Sequence, residues 1–331
     1  MNFRKTLLAV SLALICGFYG TAQAGQDTID FENIVSSDFL SIASFVNGPF
    51  VNSLGFYTSL GWDVPPTVYD LVSGPHFELS VGAGADFIPL PNLNNLSGLS
   101  VVSATSNLSL PSGIPLPYPV ATLRVGLFNG FDAGFRYTYL PEISAAGVGG
   151  NFTGWGIDLR YKLFEGMELP TVTLSTSYDS NSGSFSVSTG GVTQTGINYT
   201  DPNSGNNYPN ASLSGSGSTY ALNWTTRSMG MKIMVGKSLG IFYPFGAIGV
   251  QRNSGTITSS LTGSYIANLN GGTETATPFN PSGVSSGAPV VLEPKYVLGF
   301  TLGGGLGIDW SVVGESNGTD IAGSTSFALL F

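Results

Sequence analysis

The residues best placed to do chemistry are charged and regularly spaced. Arg124, Arg136, Arg160 and Lys162 come from three neighbouring segments of alternating hydrophobicity and are interleaved with Asp132 and Asp158. Glu78 and Asp86 hold the same kind of position on an earlier segment. Charges gathered on one wall can focus a field on a permeating solute. They can equally pair with one another to fill a narrow interior, because buried charge is costly unless paired. The sequence leaves both readings open, and in both these eight residues line a lumen.

Enzyme chemistry needs a base, and the chain has one histidine. His76, Glu78 and Ser80 share a strand face at two-residue spacing. Side chains so spaced point in parallel, whereas a nucleophile, its base and the orienting group must converge on one proton. No catalytic residue is assigned, and an enzyme is not expected. The runs Gly82-Ala83-Gly84 and Gly303-Gly304-Gly305-Leu306-Gly307 lack the following helix and the Lys-Ser/Thr pair of a phosphate loop, and fit small lumen or bulge positions. Asp179, Asp201 and the Asn-rich stretch 203–210 are too dispersed for a calcium cage and read as solvated loop. No metal and no cofactor is expected.

Composition bounds the elements that must carry these residues. The 331 residues are 42% hydrophobic but only 9% charged, with 46 Gly, 21 Phe and 14 Tyr. So little charge argues against disorder, and is sparse for a soluble domain. No run of about 18 apolar residues follows residue 25, so no helical membrane span is expected, while a barrel stays allowed. Residues 1–24 read as a secretory signal: Arg4 and Lys5, an apolar core from Leu7 to Phe18, and Ala22-Gln23-Ala24 before Gly25. A lipoprotein signal ending at Cys16 is the rival, but Ala13-Leu14-Ile15 lack the small residues expected before a lipidated Cys. Cleavage after Ala24 removes the one Cys and two of 11 basic residues. Nine then face 20 acidic residues, a net charge of −11. Such a chain forms no disulfide and has no attraction for nucleic acid.

Residues 25–64 carry a helical signal. Val35, Phe39, Ile42, Val46, Phe50, Leu54 and Tyr57 recur at steps of three or four, and Gly48-Pro49 is expected to break the stripe into two short helices. Residues 65–331 are assigned to the barrel, and from Pro75 onward the period becomes two. Phe77 to Phe87, Leu123 to Leu127, Phe131 to Tyr139 and Trp155 to Leu163 alternate apolar residues with Gly, Ser and charge, and similar runs continue to Phe331. About ten strands result. Short links near 128–130, 165–168, 237–240 and 303–304 alternate with long ones at 90–118, 141–150, 181–218 and 254–289, as in outer-membrane barrels. Two β-like stretches inside the long links could raise the count to about 14. A three-residue loop ending at Gly130 is expected to set Gly126 opposite Asp132 and Arg124 opposite Gly134.

The fold class is therefore all-β, an antiparallel transmembrane β-barrel with a short N-terminal helical segment. Phe131 to Tyr139, at about 3.3 Å per residue and tilted about 40°, rises roughly 20 Å, close to the apolar band of such barrels. Ten strands give a backbone radius near about 10 Å, roughly one helix wide once side chains line it. The stripe Val35, Phe39, Ile42 and Val46 is expected to form a plug or gate at the short-turn end. Phe327, Leu329 and Phe331 share one face of a last strand and resemble the insertion signal of bacterial outer-membrane proteins.

Leu54 to Trp62 (LGFYTSLGW), Pro75 to Pro89 (PHFELSVGAGADFIP) and Arg124 to Leu169 resemble a bacterial family of predicted outer-membrane β-barrels without assigned biochemistry. A helical segment ahead of a barrel is also similar in layout to the outer-membrane channels for fatty acids and aromatic hydrocarbons, although the Asn-Pro-Ala motif of that hatch is absent near the N-terminus. The resemblance implies the outer membrane of a Gram-negative bacterium. The expected function is passive, porin-like passage of small solutes gated by the N-terminal segment. The alternatives are a non-conducting barrel whose external loops bind a partner or surface, and a transporter of hydrophobic compounds. Expected partners are outer-membrane lipid and lipopolysaccharide, and the barrel-assembly machinery during insertion. Association as a homo-oligomer stays open.

Overall fold

The computed structural model describes residues 3–61, 77–89, 91–92, 96, 98–100, 113–127, 130–145, 147–164, 169–188, 193–269, 278–303 and 308–331, with side chains from Gln26 onward. A helix, α1 (Phe3–Thr58), precedes thirteen strands. The first five are β1 (Phe77–Pro89), β2 (Gly113–Gly126), β3 (Phe131–Ala145), β4 (Val148–Phe164) and β5 (Thr171–Ser188). Then come β6 (Thr193–Thr200), β7 (Asn207–Gly236), β8 (Phe242–Asn268), β9 (Pro278–Phe279) and β10 (Ser282–Gly287). The chain ends with β11 (Leu292–Leu302), β12 (Ile308–Ser316) and β13 (Ile321–Leu330).

Ten strands close into an antiparallel ring: β1, β2, β3, β4, β5, β7, β8, β11, β12, β13 and back to β1. Backbone bonds between Phe77 and Phe331 (3.2 and 2.9 Å) extend the closing seam to its end. A closed ring has no unpaired edge, the condition for strands to cross lipid. Strands β6, β9 and β10 lie outside the ring, on the extended ends of β7 and β8.

The alternation decides which face is which. On β4, Ile157 and Leu159 are 51% and 44% exposed, whereas Asp158 and Arg160 between them are 4% and 1% exposed. Apolar residues therefore face outward and charges inward, the reverse of a soluble sandwich. The outward aromatics form two tiers. Phe77, Phe131, Tyr161, Phe164 and Phe331 lie toward the short-turn rim, and Tyr137, Tyr139, Trp155 and Tyr178 lie on the far side of the aliphatic band.

The β2–β3 turn follows the expected register. Gly126 pairs with Asp132 and Arg124 with Gly134, Leu127 N–H donates to the Phe131 carbonyl (2.8 Å), and Gly130 sits at φ +83°. Only glycine adopts that left-handed value without strain.

Three expectations are corrected. Gly48-Pro49 does not break the helix, which runs through Pro49 without interruption. Proline removes one backbone donor, but Val46 and Phe50 on either side are 1% and 0% exposed, and their packing holds the helical path. The links at 141–150, 181–218 and 254–289 are mostly strand. Strand β3 runs past Pro141 through a bulge between Leu140 and Ile143 to a tight turn at Gly147, β5 pairs with β4 along nearly its whole length, and β7 and β8 extend beyond the ring's other strands. The additional strands add to these extensions, so the ring keeps ten. Finally, residues 26–58 are long and apolar enough to cross a membrane by composition, although no such span was expected; their buried stripe faces the strands.

Candidate functional site: the helix seat in the lumen

Helix α1 occupies the lumen in the half bounded by the long strands. Phe31, Val35, Phe39, Ile42, Val46, Phe50 and Leu54 are all at most 3% exposed. Their counterparts are aromatics and aliphatics of the extended strands β7 and β8 and of β6 beside them. Phe31 meets Tyr199 edge-on at 5.0 Å, Phe39 meets Tyr265 at 5.5 Å, and Phe50 stacks on Tyr220 at 6.3 Å. Ser259 donates to the Ala43 carbonyl (3.0 Å), and Gly283 of β10 approaches so closely that a Cβ there would strike the backbone of Phe39 and Leu40. The expected plug residues therefore lie in the lumen, but at the long-strand end and not at the short-turn end. The reason is complementarity: the aromatic wall that an apolar stripe needs is built by the extensions of β7 and β8 together with β6, a stretch that reads mostly as loop in the sequence.

The helix ends at mid-barrel on a set of charges. Arg136 Nη2 donates to the Thr58 carbonyl (2.7 Å) and to Asp179 Oδ1 (2.7 Å). Lys295 Nζ donates to the Ser59 carbonyl (2.8 Å) and pairs with Glu315 Oε2 (2.8 Å), while Gly61 N–H donates to Glu315 Oε1 (3.0 Å). Two cations thus meet the carbonyl end of a helix, where the orphan acceptors and the dipole favour positive charge. Hydroxyls complete the seat: Thr58 pairs with Thr226 and Ser59 with Gln251, both at 2.5 Å.

Below the helix end the lumen is lined and narrowed by its own side chains. Arg124 Nη1 bonds Asp132 Oδ1 (2.7 Å) and Asp158 Oδ2 (3.2 Å), and Arg160 Nε bonds the same Asp158 oxygen (2.9 Å). Glu78 is buried there on β1 at 2% exposure and Lys162 is half-buried, while Asp86, 0% exposed, lies farther along β1 at the level of the helix end, where Tyr57 donates to the Pro117 carbonyl (3.0 Å). Met234, Tyr243, Phe245, Ala247, Val297 and Val313 form an apolar cluster across from them. The expected basic wall is in the lumen, and its arginines are neutralised by aspartates or engaged with the helix end.

At the other end, Asp27 and Asp30 near the start of the described side chains accept from Asn206 (2.8 Å), Tyr208 (2.5 Å) and Asn203 (2.8 Å) in and beside the β6–β7 turn. Asp201 in that turn accepts from the N–H groups of Asn203 (2.8 Å) and Ser204 (2.6 Å) and from the Tyr199 hydroxyl (2.9 Å). Burial pushes its carboxyl up, but these donors outweigh it and hold the carboxyl below its ordinary range. Burial, reinforced by Asp201, raises the Tyr199 phenol.

Sequence reasoning missed Asp179, Lys295 and Glu315. Asp179 was grouped with Asp201 as solvated loop, yet it is fully buried against Arg136 and the two lie in different regions. Lys295 alternates with the outward Pro294 and Tyr296, so strand parity alone would have placed it inside. Phe327, Leu329 and Phe331 are outward and 57%, 44% and 75% exposed. Ser80 is a buried lumen residue; His76 and residues 62–64 of the expected plug segment lie outside the described residues, as do Gly304 to Gly307. Helix α1 starts at Phe3 and so runs across the expected cleavage point after Ala24.

The chain belongs to a family of unknown function (DUF6588), whose model matches residues 90–302. No curated protein matches it. Among solved structures it is similar to the translocator domain of the autotransporter NalP from Neisseria meningitidis, at 12% identity and a TM-score of 0.30, covering 84% of this chain and 93% of that one. It is similar to LpxR from Salmonella typhimurium at 10% identity and a TM-score of 0.26, covering 77% and 100%. The Pseudomonas putida toluene transporter TodX is similar at 9% identity and a TM-score of 0.23, covering 78% and 88%.

Proposed function

We propose that this DUF6588 member is an outer-membrane β-barrel of a Gram-negative bacterium whose N-terminal helix is a resident plug, and that small polar solutes pass only when the helix leaves the lumen. The observation that carries this reading is the double hold on one element. The helix buries an apolar stripe in the long-strand half and sets its carbonyl end on Arg136 and Lys295 at mid-barrel.

Magnitude favours a barrel closed at rest. Seven buried side chains at about 1.5–3 kcal/mol each give roughly 10–20 kcal/mol of gross burial, an upper bound. A net of about 8 kcal/mol already puts the released state near one part in a million. Opening is thus a triggered event.

The test is bilayer conductance with a tether. An Ala43→Cys/Ser259→Cys pair, at the point where Ser259 donates to the Ala43 carbonyl, is expected to be silent when oxidised and to show voltage-driven openings when reduced. Deletion of residues 27–60 is expected to give persistent steps. Silence in the deleted protein, with heat-modifiable migration showing an intact ring, would overturn the plug reading.

A second reading has its own support. From Arg227 to Ser212, β7 runs 15 further residues beside β8, about 50 Å along the strand. Its outward residues there, such as Thr225, Asn223 and Thr219, are polar or small. Such a projecting tower is a surface on which a partner could dock, and loop-end surfaces commonly carry function. Truncating β6 and the start of β7 separates the readings, since it removes adhesion but leaves tethered-plug conductance behaviour intact.

A further inference from the structure

The lumen takes up most of the cations that remain after the expected leader. Arg124, Arg136, Arg160, Lys232 and Lys295 are buried inside, Lys162 is inward and half-buried, and Lys237 follows β7 in the turn to β8. Arg227 and Arg252 differ from all of these. Both are exposed, and both stand at outward positions on adjoining ring strands, β7 and β8. Arg227 pairs across the ladder with Ser254 and Arg252 with Met229, so the two arginines are diagonal neighbours, about 7–8 Å apart.

Their position relative to lipid is set by what lies on each side. Toward the short-turn rim, the outward residues are Met229, Met231, Ile248 and Val250, between 53% and 66% exposed. Away from it they are Thr225, Asn223, Ser254 and Thr256. The ladder runs Tyr137, Trp155, Ser180, Arg227, so Arg227 continues the row of the second aromatic tier. Among the described residues no carboxylate pairs with either arginine, and the nearby acids on β5 and β11, Asp179 and Glu293, are buried in the lumen. Two uncompensated guanidinium groups therefore stand at the upper border of an aliphatic band on a strongly acidic protein.

We infer that Arg227 and Arg252 form a binding site for the phosphate headgroup of a membrane lipid whose acyl chains lie on Met229, Met231, Ile248 and Val250. Guanidinium groups bind phosphate through two parallel N–H donors, and two of them at this spacing can grip one phosphate from both sides. The aliphatic strip directly beneath favours a lipid over a free anion, because burial of acyl chain adds to the charge term. This inference rests on the membrane placement proposed above and is independent of the plug.

The experiment uses the full mature protein refolded into phosphatidylcholine micelles and examined by native mass spectrometry with added phosphatidic acid. The wild type is expected to retain phosphatidic acid at least tenfold over phosphatidylcholine. An Arg227→Gln/Arg252→Gln variant is expected to lose that preference, the Arg227→Lys/Arg252→Lys variant to keep part of it, and Lys237→Gln to keep all of it. Millimolar inorganic phosphate is expected not to displace the lipid; full displacement would reduce the site to an anion site and overturn the lipid assignment. Equal retention by the wild type and the glutamine variant would overturn the site itself. Heat-modifiable migration and insertion into phosphatidylcholine vesicles separate the two failures. If no variant inserts, the membrane placement falls; if all insert and the preference is unchanged, only the lipid site does.

Discussion

The two halves of the lumen are filled in opposite ways. The short-turn half is narrowed by side chains of the ring itself, with Arg124, Asp132, Asp158 and Arg160 in one ion-paired set and Met234, Tyr243 and Phe245 facing them. The long-strand half is closed by a separate piece of chain, whose stripe from Phe31 to Leu54 rests on aromatic residues such as Tyr199, Tyr220 and Tyr265. A filling that belongs to the wall cannot leave without unfolding the wall. A filling that belongs to a segment can, so mobility is expected in one half and rigidity in the other. The helix end is the seam between them, where Arg136 and Lys295 join wall to plug.

The largest effect is expected in the rigid half. Asp158→Asn leaves Arg124 and Arg160 buried with Asp132 and the neighbouring Glu78 to balance them but without the oxygen both arginines share, and breaking a buried network from one side costs about 3–5 kcal/mol. The urea midpoint and the temperature of heat-modifiable migration should both fall. Labelling of an Ala43→Cys reporter on the helix should not change. A labelled helix in Asp158→Asn would show that the halves are one cooperative unit and erase the distinction.

The converse change is next. Phe39→Ala removes a buried ring packed edge-on against Tyr265 and costs about 3 kcal/mol at the seat. Here the Ala43→Cys reporter should label faster, by roughly a hundredfold for each 2.7 kcal/mol that reaches the release step, while the melting of the ring stays near that of the wild type. Gly283→Val follows at about 1–3 kcal/mol, because its side chain meets the backbone of Phe39 and Leu40 and must push β10 or the helix aside. It too should speed labelling without moving the ring's transition.

What the sequence discloses follows the same division. In the short-turn half every strand alternates against lipid, so apolar and charged residues separate cleanly and the inward positions of Arg124, Arg136, Arg160 and Asp158 can be read by parity. The three-residue loop at Gly130 could be read because a wrong loop length would send Leu127 and its partner to opposite faces. Above the lipid that contrast vanishes. Outward Ser, Thr and Asn on β5, β7 and β8 face water, and with small or polar residues on both faces the strands look like loop. Asp179 stands at the border of that stretch, and its parity carries little contrast because its neighbours are Ser177, Tyr178, Ser180 and Asn181. The helix stripe was legible, but the end of the barrel it fills was not, because the aromatic wall that receives it lies in that same low-contrast stretch.

The smallest effect lies farthest from the seam and tests whether the outer end of the plug is held by the β6–β7 turn. Asp201 holds that turn through the N–H groups of Asn203 and Ser204 and the Tyr199 hydroxyl, next to the Asn203 and Asn206 side chains that reach Asp30 and Asp27 of the helix. Its carboxyl is held below its ordinary range, so the folded state binds its proton less readily than the unfolded state does. Its stabilisation is therefore complete above the ordinary aspartate value of about 3.9 and lost as pH falls through the lower folded value. Limited proteolysis between residues 200 and 207 should then be flat from neutral pH down to about 4 and rise only in stronger acid. Asp201→Asn keeps an acceptor but loses the charge. It is expected to cost about 0.5–1.5 kcal/mol, to raise cleavage at neutral pH and to flatten the acid response. If cleavage at the turn rises while labelling at residue 43 does not, the outer contacts only tidy the turn, and the plug is held by its apolar stripe and the two cations at its carbonyl end.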